Sequence, residues 1–90
     1  KEQKRLEAEQ RQARSRERKA QRELGDQLEQ EIHELEARQK ELVAELELPD
    51  TYEQPGRAMA VNRELMDIQQ HLAELTPAWE REATRLAELE

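Results

Sequence analysis

The stretch Pro49-Asp50-Thr51-Tyr52-Glu53-Gln54-Pro55-Gly56 interrupts a chain that otherwise reads as helix throughout. A helix does not cross it unbroken. Pro49 lacks an N–H and restricts Leu48, and Pro55-Gly56 marks a second bend. Between them, Asp50-Thr51-Tyr52-Glu53 can cap one short helical turn. Beyond the interruption, Val61, Leu65, Ile68, Leu72, Leu75, Trp79, Leu86 and Leu89 follow alternating steps of four and three, with Glu82 filling the remaining slot. Before it, Leu28, Ile32, Leu35, Leu42 and Leu46 keep the same repeat, with Gln39 in one slot. Each run is the a/d pattern of a coiled-coil seam. Two seams on either side of one turn predict an all-α fold, a two-helix antiparallel coiled-coil hairpin with its tip near residues 49–56. Helix one is expected over residues 2–47 and helix two from about Arg57 to the end of the chain.

Composition agrees with this. Of the 90 residues, 41% are charged and 34% hydrophobic, with one Trp, one Tyr and no Phe, so a large globular core is excluded. Without cysteine there is neither a disulfide framework nor a thiolate metal site. No apolar run reaches bilayer length and no signal-peptide core is present, so no membrane role and a cytoplasmic setting are expected. The chain begins at Lys1 and is expected to be a piece of a longer protein.

The net charge of −7 is unevenly spread. Residues 1–23 carry nine basic and five acidic side chains, a net +4, and the remainder nets −11. This divides the chain into a basic helical lead-in segment (1–23) and an acidic antiparallel coiled-coil hairpin (24–90). On a helical wheel, Lys4, Arg11, Arg14, Arg18 and Arg22 fall on one side. Leu6, Ala13, Ala20 and Leu24 fall on the other, which is taken as the continuation of the seam. The cations therefore form a stripe facing away from the seam. Such a stripe can track phosphates, with Arg offering bidentate hydrogen bonds. The alternatives are an acidic protein surface as partner, or a solvated face partly neutralised by Glu7 and Glu17. With no aromatic residue interleaved, base stacking is not supported.

Three positions bear on helix continuity and packing. Gly25 lies where the apolar steps depart from the heptad (Ala20, Leu24, Leu28), and Asp26 with Glu29 has the spacing of a capping box. Helix one is expected to continue through it, the other reading being a break after Leu24. Pro77 is expected to kink helix two, with Thr76 as a local cap. Contacting residue numbers should sum to about 105 if the helices pair through the turn. Leu28 then meets Trp79 and Ala20 meets Leu86, with Gly25 making room for the indole. Trp79 is expected to be the largest contributor to the core. Tyr52 is expected to fold back onto Leu48 and Met59 as a plug; its other reading is a surface contact.

Catalytic residues are not apparent. The glycines number two, so there is no phosphate-binding Gly-rich loop. His33 and His71 approach each other across the expected hairpin, and with a carboxylate they could ligate a metal. Two solvated histidines are the simpler reading, and no metal or other cofactor is expected. The abundant Glu residues have no enclosed site that would shift their pKa values. The chain is read as a non-enzyme.

The lead-in Lys4-Arg5-Leu6-Glu7-Ala8-Glu9, the acidic Leu-rich first helix, the tip Leu48-Pro49-Asp50-Thr51-Tyr52-Glu53 and the pair Trp79-Glu80 resemble the C-terminal coiled-coil domain of ABC-F proteins, soluble paired-ATPase proteins. The resemblance implies that the ATP-binding domains lie before Lys1. It also implies an accessory arm in ribosome and translation work, contacting RNA, DNA or the ribosome through the basic segment, without hydrolysing ATP itself. The alternative is a purely structural coiled-coil spacer or dimerisation element. A helical arm like those of some tRNA-handling enzymes is a third. A monomer or weak homodimer is expected.

Overall fold

The computed structural model describes all residues from Lys1 to Glu90, and it is all-α. Helix α1 spans Glu2–Leu46, a single turn of helix α2 spans Pro49–Glu53, and α3 spans Arg57–Leu89. The 45 residues of α1 and the 33 of α3 correspond to about 68 and 50 Å of helix. The molecule measures 77 × 16 × 15 Å, a rod two helices wide. α1 is unbroken through Gly25, and α3 is unbroken through Pro77.

The turn is built by its prolines and one glycine. Leu48 and Gln54 each precede a proline and each is extended, with ψ 128° and 119°, as the proline ring demands. Pro49 opens α2, where its missing N–H costs nothing. Pro55-Gly56 forms the centre of a type II turn. Gly56 has φ 76° and ψ −3°, and the Arg57 amide donates to the Gln54 carbonyl at 3.2 Å. Positive φ occurs nowhere else in the chain.

Thr51 rather than Tyr52 closes the tip. Thr51 is only 3% exposed, and its hydroxyl donates to the Glu45 carbonyl at the end of α1. Tyr52 is 63% exposed, which corrects the expectation of a plug. Its phenol donates to the Leu46 carbonyl, and that bond holds the ring along the outside of the turn. The Tyr52 hydroxyl satisfies a carbonyl that the helix C-terminus leaves without a backbone partner, while the Thr51 hydroxyl adds a second donor to the Glu45 carbonyl, which also accepts from the Leu48 amide.

Between the long helices, partner numbers rise on one as they fall on the other. Glu45 binds Arg57, Arg38 binds Glu64, Glu31 meets His71 and Gln21 binds Glu82. Paired numbers sum to slightly less than expected, because α1 already ends at Leu46 and the turn is centred earlier in the chain. The buried apolar core is confined to the turn end: Leu42, Val61, Leu65 and Ile68, flanked by Leu35, Leu46 and Leu72. Trp79 is half-buried and outside this cluster, so it is not the centre of the core. Gly25 does not accommodate the indole either. A Cβ placed there would meet nothing within 4 Å.

Candidate nucleic-acid interface

The path of the seam decides what the cationic residues can do. Along α3 the covered positions are Val61, Leu65, Ile68, Leu72, Leu75, Trp79, Glu82, Leu86 and Leu89, an unbroken heptad. Along α1 they are Leu46, Leu42, Gln39, Leu35, Ile32, Leu28, Gly25, Gln21 and Arg18, equally unbroken. The seam therefore passes through Gly25, Gln21 and Arg18, not through Leu24, Ala20 and Ala13. Leu24 is 42% exposed, Leu6 is 57% exposed, and Ala13 and Ala20 lie on the surface. The apolar core near the turn fixes which positions of α1 face α3, and the covered positions keep a period of 3.5 from there on. Residues spaced by four drift off the seam however apolar they are.

The stripe is therefore a continuation of the seam face, which corrects the expectation that it points away. Counting back by heptads from Gly25 and Gln21 gives Arg18 and Arg14, then Arg11 and Glu7, then Lys4. Arg22 stands on the flank next to Arg18. All five cations are on or beside one face. Lys4, Arg11, Arg14 and Arg22 are exposed, and Arg18 is half-buried. Carried forward from the Gln21–Glu82 contact, the register places Glu90 opposite about residue 13. Lys4 and Arg11 thus lie beyond the end of α3, Arg14 at its margin, and Arg18 beneath it.

Glu82 of α3 and the following Glu90 meet this face; sequence reading put Glu82 in the seam but named neither its Gln21 partner nor the Arg22 partner of Glu90. The Gln21 side-chain amide donates to the Glu82 carbonyl at 3.1 Å and also to its carboxylate. The Arg22 guanidinium is 3.4 Å from the Glu90 carboxylate. A strict heptad count through Glu82 was the signal that pointed to Gln21.

Charge is organised differently on the two flanks nearer the turn. One carries a ladder of ion pairs. Arg57 forms a bidentate pair with Glu45, Arg38 forms one with Glu64 while also reaching Glu41, and His71 Nε2 is 3.3 Å from Glu31. Hydrogen bonds from Arg57 and Arg38 hold the Glu45 and Glu64 carboxyls below the usual range, and the guanidiniums are raised in turn. The other flank lacks such a ladder. Glu29, His33, Glu36, Thr76 and the Trp79 edge line an open groove there, with Met59 and Met66 exposed nearer the tip. His33 and His71 thus stand apart on different flanks, and no cluster of metal-ligating side chains forms. No helix is long and apolar enough to cross a membrane.

The family model described as the ABC transporter C-terminal domain matches residues 15–82. The chain belongs to this family. The matched span takes in the turn, the whole apolar core and the seam as far as the Gln21–Glu82 layer. Within it lie Arg18 and Arg22; Lys4, Arg11 and Arg14 precede it. The C-terminal domain is thus an accessory helical domain of an ABC protein. No curated protein and no solved structure matches the chain.

Proposed function

We propose that this C-terminal domain is the coiled-coil hairpin arm of an ABC-F type protein, non-enzymatic in itself. In this reading residues 1–23 are its basic lead-in and residues 24–90 its acidic hairpin. The arm contacts nucleic acid, alone or within the ribosome, through Lys4, Arg11, Arg14, Arg18 and Arg22. One observation supports the reading: Lys4, Arg11, Arg14 and Arg18 lie in line on one heptad face of α1 with Arg22 beside them, and all but the half-buried Arg18 are exposed. The acidic hairpin repels phosphates, which confines contact to this end. Binding is weakly sequence-specific, because phosphate contacts position a ligand without reading bases.

The test is a salt titration of binding to a hairpin RNA and to a DNA duplex. The parent is compared with a variant carrying Lys4→Gln, Arg11→Gln and Arg14→Gln, which lie at or beyond the margin of α3. Each lost contact should reduce the slope of log K against log salt by about 0.7–0.9. Helicity should be unchanged. Equal binding by parent and variant, or no parent binding at low salt, would remove nucleic acid from the reading. A structural spacer would then stand, supported by the 77 Å length and the ion-paired flank.

A further inference from the structure

The face proposed to bind phosphates does not end where α3 begins to cover it. We infer that the segment of α3 beyond Pro77 is a displaceable cover, and that a nucleic-acid backbone bound at Lys4, Arg11 and Arg14 extends beneath it onto Arg18 and Arg22. The inference rests on the phosphate-binding reading above and adds to it both residues and a competitor.

Three independent features support it. The first is geometric. Arg18 and Gln21 are seam positions in line with Arg11 and Arg14, so ligand and cover occupy the same surface of α1. The second is the character of the packing. All four buried apolar residues lie on the turn side of Pro77, at Leu42, Val61, Leu65 and Ile68. Past Pro77 the seam meets Gly25, Gln21 and Arg18 on α1, and on α3 it sets Glu82 among Trp79, Leu86 and Leu89, which are only half-buried. Two of the contacts there are polar, Gln21–Glu82 and the exposed Arg22–Glu90. The third is a hinge. Pro77 has no N–H to give the Ala73 carbonyl, so the ladder of α3 is weakened at the boundary between its apolar-cored part and its polar-seamed part. Thr84, whose hydroxyl bonds back to the Glu80 carbonyl, adds a second local weakness.

The exchange is chemically balanced. Glu82 and Glu90 present carboxylate oxygens to Gln21 and Arg22, and a phosphodiester presents anionic oxygens to the same donors. Releasing the cover exposes Arg18 and frees Arg22. The ligand gains up to two cationic contacts, and the cover loses a polar layer together with the half-buried Trp79, Leu86 and Leu89.

A disulfide across the cover tests this directly, because the chain has no cysteine of its own. In a Gln21→Cys, Glu82→Cys variant, charge and composition are constant and only the redox state determines whether the cover can move. The parent is expected to bind a hairpin RNA. The oxidised variant is expected to bind with a salt slope shallower by about 1–2 than the reduced variant, and dithiothreitol is expected to restore the slope. Gln21→Leu with Glu82→Leu, which replaces the polar layer by an apolar one, should shift the slope in the same direction without a crosslink. Identical slopes for oxidised and reduced protein and for the double-Leu variant, with the parent binding, overturn the cover while leaving the phosphate-binding reading intact. Absence of parent binding at low salt overturns both.

Discussion

Gln21 is buried at 8% exposure against Glu82, and it is the one layer of the seam where two polar side chains bond to each other. In coiled coils a polar seam residue commonly fixes register at a cost in stability. Here the register near the turn is already fixed by Leu42 and Val61, so the layer's main local effect is to weaken the open end.

Replacing Gln21 and Glu82 together by Leu is therefore expected to stabilise the chain by about 1 kcal/mol or more. For a domain of this size that corresponds to a rise of about 4–8 °C in melting temperature. Gln21→Leu alone should do the opposite, at about 1–3 kcal/mol, because it leaves the Glu82 carboxylate without its donor. Thermal melting followed by circular dichroism distinguishes the two; a stabilised single variant would mean that the layer is solvated.

Leu42→Ala should be the most damaging single truncation. Leu42 is fully buried at the centre of the core, and such changes cost about 2–5 kcal/mol. Trp79→Ala should cost less, since the indole is half-buried and lies outside the core cluster. Urea titrations of both variants check the order, and a reversed order would place the core around Trp79 after all.

The two glycines should respond in opposite directions to alanine. Gly56→Ala forces an L-residue into the left-handed region and should cost about 1–2 kcal/mol, purely through the backbone, since no atom lies within 4 Å of the new Cβ. Gly25→Ala sits in a helix interior with the same open space and should gain about 0.5–1 kcal/mol. Melting curves of the two single variants suffice, and a loss at Gly25 would point to a close approach by α3.

Acid should weaken the ion-paired flank. The Glu45 and Glu64 carboxyls are held below their ordinary range by hydrogen bonds from Arg57 and Arg38. Their folded pKa values therefore lie below the unfolded ones. The stability they contribute is complete above the unfolded carboxyl pKa of about 4.3 and drains away as pH falls below it toward the folded values. Melting temperature should fall below about pH 4–5, and by less when Glu45→Gln and Glu64→Gln are combined. An unchanged acid limb in that variant would show that both pairs are screened to insignificance.

The all-helical chain and its interruption were legible because they depend on local chemistry. Pro49, Pro55 and Gly56 dictate their own dihedrals and those of Leu48 and Gln54, whatever surrounds them. The run from Val61 to Leu89 was equally legible, since its apolar residues fall on a strict repeat. The path of α1 was misread where residue character and period disagree. Leu24 and Ala20 look like seam residues, but the seam is set about 30 Å away by Leu42 and its neighbours and passes instead through Gly25, Gln21 and Arg18. Tyr52 was misjudged for a related reason. Its size suggested burial, but its phenol donates to the Leu46 carbonyl while the ring stays exposed.

The uneven distribution of the core has a mechanical consequence. Both chain ends point toward the open end, so a load pulling α3 away from α1 there does not shear all contacts at once. It unzips them layer by layer, first the Arg22–Glu90 pair, then the Gln21–Glu82 layer, and last the Leu42–Val61 cluster beside the turn. Resistance rises as the separation advances, so the helix pair yields softly at small extension and stiffens before it gives way. A force–extension trace from chains tethered at Arg14 and Glu90 should show this rising profile; a single abrupt rupture would mean that the two ends of the seam are equally strong.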